Sequence, residues 1–562
     1  MAEERLREQL RAVAARLGAP ADVEVQLERP RNPEHGDLAT NLAMTLAKAL
    51  GRPPRQLAEA LVQGLDPAAA GLASAEVAGP GFINFRLAAS SVADSLEAIL
   101  AADADYGRAE EGAGERVVVE WVSANPTGPI HFGHGRQAAL GDAVCNLLER
   151  TGWSVHREYY YNDSGRQMEL LARSVWARYQ QLLGAEAAIP EGGYHGEYVL
   201  ELAERFRDEA GERFRGDDSA QALDTMRRFA VKLLRAEQDR DLADFRVRFD
   251  EHYLESSLYE EGRVERTIQA LQDTGLTYEH EGALWLRTTA FGDQKDRVMV
   301  RGNGQPTYFL PDVAYHMVKW ERGFRHAINV QGADHHGTVP RVHAGLRALG
   351  LPEGYPEYVL HQMVRLERGG EEVKISKRAG GYTTLRELYE MVGVDVARYF
   401  FLMRKPDAHL VFDLDQALDQ SEKNPVFKVQ YAHARMCSIF GRAGVALDEP
   451  LDADPGRLGE EVELELIKQL AEFPGAVETA ARLRAPHLLC DYLERTAGAV
   501  NSWYHAGNPS RNPELAVLVE DAQLRTARLA LARGVRIVLK NGLALLGLTA
   551  PERMAREQEA AA

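Results

Sequence analysis

Cysteine, lysine and long apolar runs are all scarce in this chain of 562 residues. Its three cysteines, Cys145, Cys437 and Cys490, are scattered and odd in number, so neither a disulfide framework nor a thiolate zinc site is indicated and a reducing cytoplasm is expected. No apolar stretch approaches about 18 residues, so no membrane-spanning helix is expected. The opening Met1-Ala2-Glu3-Glu4-Arg5-Leu6 is acidic and helix-like where a secretory signal would be basic and then apolar. Only 11 lysines accompany 55 arginines, and no lysine follows a glycine, which removes a Walker-type phosphate loop. Positive charge is in deficit overall. The net charge of −18 argues against indiscriminate nucleic-acid binding, because the summed field repels a polyanion. A local exception lies at 522–556, where Arg525, Arg528, Arg533, Arg536, Lys540, Arg553 and Arg556 meet a single acid, Glu552; a solvated helix face and a basic patch both fit it.

The length implies roughly three or four domains. Residues 1–110 read as a small α+β module, with helical patterns and then a turn at Gly79-Pro80-Gly81 leading into the alternating strand Phe82-Ile83-Asn84-Phe85-Arg86-Leu87. A linker rich in Ala, Gly and acids follows at 103–115. The run Val117-Val118-Val119-Glu120-Trp121-Val122 is then continuous rather than alternating, as a strand buried on both faces requires. Turn residues lead from it into a helix carrying Leu140, Val144, Leu147 and Leu148, which stops at Gly152. This strand-turn-helix predicts a Rossmann-like, doubly wound parallel sheet over 116–410, with its ligand crevice beyond the carboxyl ends of the strands. Charged helical patterns at about 165–260 predict an insertion, after which strands resume at Arg297-Val298-Met299-Val300, Ala327-Ile328-Asn329-Val330 and Tyr358-Val359-Leu360. Over 411–562 a helical bundle is expected, beginning with Asn424 as cap, Pro425 as first helical residue and Val429, Ala432, Met436, Ile439 and Phe440 on one face.

Three segments carry chemistry. Ile130-His131-Phe132-Gly133-His134 follows the buried strand and opens a helix, so its histidines share a face where free amides and the helix dipole favour phosphate. Gly133 removes a side chain that would keep adenine away. Far downstream, Lys374 and Lys377 bracket Ser376, and two ammonium groups there can neutralise a departing pyrophosphate. The third segment, Gly332-Ala333-Asp334-His335-His336-Gly337, places Asp334 at a strand end, where an acid accepts hydrogen bonds from ribose. The composite is an ATP-splitting site. A divalent ion held by His131, His134, Asp334, His335 and His336 is the alternative, but the Glu of a His-Glu-x-x-His site is missing and the lysines would be idle. Glu120 stands in an apolar strand, where an ionised acid needs a cation, either a ligand's or one of the chain's own arginines.

On these segments the chain resembles the class I aminoacyl-tRNA synthetases, and within them the arginyl-tRNA synthetase family. The likeness runs along nearly the whole chain. It includes His35-Gly36-Asp37 with Asn41-Leu42-Ala43, Ser123-Ala124-Asn125-Pro126-Thr127-Gly128-Pro129 and Tyr159-Tyr160-Tyr161-Asn162-Asp163-Ser164-Gly165. Gly193-Tyr194-His195-Gly196, Tyr399-Phe400-Phe401-Leu402, Asn424-Pro425-Val426-Phe427 and Val429-Gln430-Tyr431-Ala432-His433-Ala434-Arg435 continue it. His131, Gly133 and His134 stand for the family's HIGH signature, and Lys374, Ser376 and Lys377 for its KMSK loop, with Phe132 and Ile375 as apolar departures.

The resemblance implies activation of L-arginine by ATP with magnesium, then transfer to tRNA(Arg), with no structural metal and a cytoplasmic monomer as the working form. It places His131, His134, Lys374 and Lys377 as catalytic residues. ATP is expected on His131, Gly133, His134, Gly332, Asp334, His335, Lys374, Ser376 and Lys377. Arginine is expected on Glu120, Ser123, Asn125, His134, Tyr308, Asp312 and Gln331; a guanidinium, planar with five donors, calls for acidic and planar partners. The helical C-terminal region is expected to read the anticodon and the N-terminal module the tRNA elbow. A nucleotidylyltransferase-like enzyme acting on another acceptor, and a synthetase-like RNA-binding protein without catalysis, are the rival readings.

Overall fold

The computed structural model describes residues 2–20, 22–30, 32–163, 165–373, 382–508 and 510–554. Its centre is a five-stranded parallel sheet, whose strands we number β1 (Arg116–Glu120), β2 (Ser154–Tyr161), β3 (Glu251–Leu254), β4 (His326–Gly332) and β5 (Glu357–His361). The spatial order is β5-β4-β1-β2-β3. The chain therefore builds outward from β1 on one side and then returns to its other side with β4. The gap between β1 and β4 is the switch point where such sheets bind ligands.

The continuous apolar run of β1 is buried on both faces, as its composition predicts. Val117 and Val119 enter one core, which runs without a break from the sheet into the helices after Ser421, while Val118 enters a second core on the opposite face. Because side chains alternate, Glu120 continues the face of Val118. That face packs against a helix we call α2 (Phe309–Glu321); the helix that follows β1 is α1 (Phe132–Arg150).

Two strand expectations change. The stretch read as helical insertion does form Arg166–Leu182, Glu197–Ala210 and Ala220–Asp244 with a core of their own, but Glu251–Leu254 returns as the edge strand β3. Its residues are all half-buried, so it shows neither a continuous nor an alternating pattern. Arg297–Val300 lies outside the central sheet, in an antiparallel meander with Thr277–His280 and Ala283–Leu286. The two-residue turn Glu281-Gly282, with φ of 50° and 74°, forces that hairpin, whereas a parallel neighbour would need a crossover.

The N-terminal module is α+β: strands Leu38–Thr40, Leu72–Ala78 and Phe82–Leu87 pack on helices around Leu6, Leu57 and Phe85. Asp37 fastens it, accepting the Leu87 N–H at 2.7 Å and pairing with Lys468 Nζ at 2.6 Å across the junction to the helix Glu461–Ala471.

After Ser421 no strand occurs among the described residues. Asn424 caps Pro425–Ala443 through its side chain, as expected. In the basic stretch the four arginines of the helix Ala522–Leu545 are tied into the protein, whereas Lys540 and Arg553 are exposed and Arg556 lies outside the described residues. Arg528 is buried, donating to Glu463 at 2.6 Å and to the carbonyls of Glu514 and Ala516. Arg525, Arg533 and Arg536 donate to the carbonyls of Val519, Glu449 and Leu447. These guanidinium groups satisfy loop carbonyls that no regular ladder reaches.

Candidate active site

The turn that leaves β1 is tight: Val122 and Ser123 take φ of 67° and 42° before Pro126 and Pro129 deliver the chain to α1. His131 caps that helix, its Nδ1 accepting the Gly133 N–H at 2.8 Å. A nitrogen that accepts is unprotonated, so the neutral ring carries its proton on Nε2. His134 stands edge-on to it with ring centroids 6.4 Å apart, and its buried Nδ1 has no hydrogen-bond partner among the described residues. Burial, and then the neighbouring His134, push His131 down to about 4. Burial lowers His134 as well, against the pull of Asp334. Both rings are thereby held in the neutral form, in which each offers one N–H donor rather than a positive charge.

Gly133 has a nearer reason than room for adenine: a Cβ there would sit 2.9 Å from His131 Nδ1 and disrupt the cap. At Gly332 a Cβ would lie 2.3 Å from Asp334 Oδ1, so a larger residue there would turn the exposed Asp334 side chain away from its present position. Asp334 and His335 remain exposed at the mouth.

A cavity of about 680 Å³ opens at the switch point. Glu120, Ser123, Asn125, His131, Gly133 and His134 line it from β1, its turn and the first residues of α1. Tyr308, at the cap of α2, and Asp312, in its first turn, line it from one side, and Gln331, Gly332, Asp334 and His335 from the end of β4 and the turn after it. Every described residue of the expected site is thus brought to one space. Lys374, Ser376 and Lys377 lie outside the described residues. The segment on their far side is bonded to the histidine turn: Tyr382 donates to the Pro129 carbonyl at 3.0 Å, Phe132 N–H to Thr383 O, and Leu385 N–H to Ile130 O. The Tyr382 ring centroid is 5.0 Å from that of His131.

Glu120 has a cation within the chain, and it is a lysine rather than an arginine. Lys319 Nζ meets Glu120 Oε2 at 2.7 Å, both groups buried, while Ser123 Oγ donates to Oε1 at 3.1 Å. Asp312 differs: among the described residues nothing donates a hydrogen bond to it. Burial, reinforced by the carboxylates of Glu120 and Glu255, pushes it up to about 7, against Arg341 and Lys319. Tyr308 stands 79% exposed at the rim, and Asn125 is tied to Gln167 at 2.6 Å.

The five residues of the metal alternative do not come together as a ligand set; the group among the described residues that does is His156, Glu158 and Glu251. The Arg322 guanidinium already sits there, 2.5 Å from both carboxylates and 3.0 Å from His156.

Sequence reasoning missed Lys319, Arg341 and His361, all of them at or beside the cavity. The first had a signal: Asp312, Tyr315, His316 and Lys319 recur at helical spacing on the buried face of an otherwise apolar helix.

Comparison with known proteins resolves the class first. The family model described as "tRNA synthetases class I (R), catalytic domain" matches residues 95–417, flanked by "Arginyl tRNA synthetase N terminal domain" at 4–87 and "DALR anticodon binding domain" at 429–554. An arginine–tRNA ligase of Thiobacillus denitrificans is 51% identical over 554 residues, 97% of this chain and 98% of the relative. One of Bordetella pertussis is 50% identical over 557 residues, with the same coverage. The solved arginyl-tRNA synthetase of Thermus thermophilus has the same fold, with a TM-score of 0.77 at 24% identity over 99% of this chain and 100% of that one. The chain belongs to the arginyl-tRNA synthetase family.

Proposed function

We propose that the cavity at the switch point is where this chain joins L-arginine to the adenylyl group of ATP before charging tRNA(Arg). A carboxylate oxygen of arginine attacks the α-phosphorus; the bond from that phosphorus to the bridging oxygen breaks, and pyrophosphate leaves with the electron pair. A hydroxyl of the terminal ribose of the tRNA then attacks the arginyl carbonyl and AMP departs. Neither step needs a covalent enzyme intermediate, so positioning and charge stabilisation carry the catalysis.

His131, through Nε2–H, and His134 hold the phosphates beside the amides of α1, Asp334 holds the ribose, and Gly332 and His335 bound the nucleotide. Lys374, Ser376 and Lys377 hold the departing pyrophosphate, with magnesium entering on ATP. Asp312 and Glu120 face the guanidinium, Tyr308 flanks the side chain, and Asn125, Ser123 and Gln331 orient the α-amino end. The helices matched to the anticodon-binding family contact the anticodon and the N-terminal module contacts the elbow. The chain works as a cytoplasmic monomer, and bound tRNA precedes activation. No described helix is long and apolar enough to cross a membrane.

What supports this reading is the convergence of residues from β1, α2 and β4, far apart in sequence, on one cavity. The test is exchange of pyrophosphate into ATP in the presence of tRNA. It should require arginine specifically; exchange with any amino acid, or tRNA binding without exchange, would reject the reading. Asp312→Asn should raise the KM for arginine about a hundredfold and spare ATP. Lys377→Ala should lower turnover about a hundredfold with arginine affinity retained.

A further inference from the structure

Lys319 is fully buried, and the mechanism above does not use it. Its ammonium donates to Glu120 Oε2 at 2.7 Å and to Asn329 Oδ1 at 3.1 Å, and it stands 4.3 Å from the centre of the Tyr315 ring. An ammonium has three donors and no acceptor, so this one is used up within the protein. Such a group is not a free phosphate or carboxylate ligand; what it does is done to Glu120.

Asp334, which also lines the cavity, is exposed at its mouth 3.7 Å from His335; of the carboxylates deeper in, each is provided for except one. Glu158, from β2, is held by Arg322 and by the Tyr315 hydroxyl at 2.5 Å. Glu255, after β3, accepts from the Tyr160 hydroxyl at 3.0 Å. Glu120 has Lys319 and Ser123. Asp312 receives no hydrogen bond from the described residues; Arg341 acts on it only at a distance and donates its own hydrogen bonds to the Gly337 carbonyl. The remaining titratable neighbours are neutral. His316 is held well below its usual range by burial and then by Lys319, and burial raises the Tyr160 and Tyr358 phenols.

We propose that Lys319 is a positioning residue that sets the charge of the arginine subsite: by neutralising and orienting Glu120, it leaves Asp312 as the one carboxylate whose counter-ion must come from the substrate. The inference rests on the reading that this subsite receives the guanidinium. The subsite then matches one cation. Without Lys319, Glu120 and Asp312 would compete for a single proton in a buried space, and a substrate would have to displace that proton.

The test is tRNA-dependent pyrophosphate exchange by the full chain, with kcat and the KM for arginine followed against pH. In the unmodified protein KM should fall about tenfold per pH unit up to about 7, as Asp312 becomes ionised. Lys319→Met should displace that acid limb upward and raise KM about tenfold at neutral pH, with kcat at saturating arginine and the KM for ATP changed less than about threefold. Lys319→Arg, which keeps the charge, should return the limb to its original position. Should the methionine variant fail to fold, Lys319→Gln keeps a donor for Glu120 without the charge and carries the same expectation. A pH profile of KM that superimposes on that of the unmodified protein would overturn the proposal, as would an equal loss of kcat and ATP affinity that Lys319→Arg does not rescue. Asp312→Asn separates the two ideas. An unchanged KM in that variant removes the arginine subsite itself and the proposal with it, whereas a raised KM without a pH limb supports Asp312 as the acid whose charge Lys319 governs.

Discussion

Two buried pairs of cation and carboxylate, one in the C-terminal helices and one at the end of the central sheet, have nearly the same contact and opposite surroundings. Arg528 and Glu463 meet at 2.6 Å, Arg528 Nη1 reaches the Glu514 and Ala516 carbonyls, and Glu463 Oε2 accepts the Glu460 N–H, so the pair is engaged from both sides. Lys319 and Glu120 meet at 2.7 Å with similar burial, yet around the same open cavity lie an Asp312 and a His134 Nδ1 to which, among the described residues, no hydrogen bond is made. A closed network fixes elements against one another, while an open one holds a place for a ligand's charge. Buried charge alone therefore does not mark a functional site; an uncompensated charge that faces an open cavity is the stronger sign.

If burial alone mattered, the two regions would respond alike to substitution. Arg528→Met strands Glu463 and should destabilise the C-terminal helices by about 3–5 kcal/mol in urea unfolding, with kcat per folded molecule unchanged. A lowered kcat with unaltered unfolding would reverse its assignment. At the sheet end, His134→Ala should lower kcat by about 10²–10³-fold, or roughly 2.7–4 kcal/mol, without lowering the melting temperature.

A subtler contrast concerns pH. The folded-state pKa of Asp312, about 7, lies above the ordinary 3.8, so its contribution to stability is complete below the ordinary value and is lost as pH rises through about 7. Asp312→Asn removes that loss. The ligand-free variant should be more stable than the parent above neutrality, by about 1–2 kcal/mol once solvent reaching the cavity is allowed for, and the gap should close in acid. Melting curves across pH test this, and a gap independent of pH would mean that Asp312 is not an uncompensated acid. The smallest effect belongs to Arg536, whose guanidinium serves the Leu447 carbonyl. Arg536→Ala should cost about 1 kcal/mol of stability and leave the salt dependence of tRNA binding untouched. A slope reduced by about one would make it a phosphate contact instead.

Much of the architecture could be read in advance because its causes are local. Asn424-Pro425 starts a helix by a cap and a fixed φ, and an unbroken Val117-Val118-Val119 needs two covered faces. The strand Glu251–Leu254 escaped because its half-buried residues follow no period, and Arg297–Val300 because its sheet is decided by a distant hairpin. The arginines at 525–536 looked available in a count of charges; Arg525 turns back on the segment just ahead of its helix, but Arg533 and Arg536 are occupied by the carbonyls of Glu449 and Leu447, in a loop no local rule connects to that helix.

From the order of residues came the candidates: a pair of imidazoles on one face of a helix, an acid within an apolar strand, an acid at a strand end. These follow from backbone geometry that acts over a few residues. Whether each group is charged, paired or open was settled by folding. Glu120 and its lysine are 199 residues apart. Electrostatic energies in a buried space depend on burial and on separations of a few ångströms, and a linear chain does not contain those separations until its sheet and helices have packed.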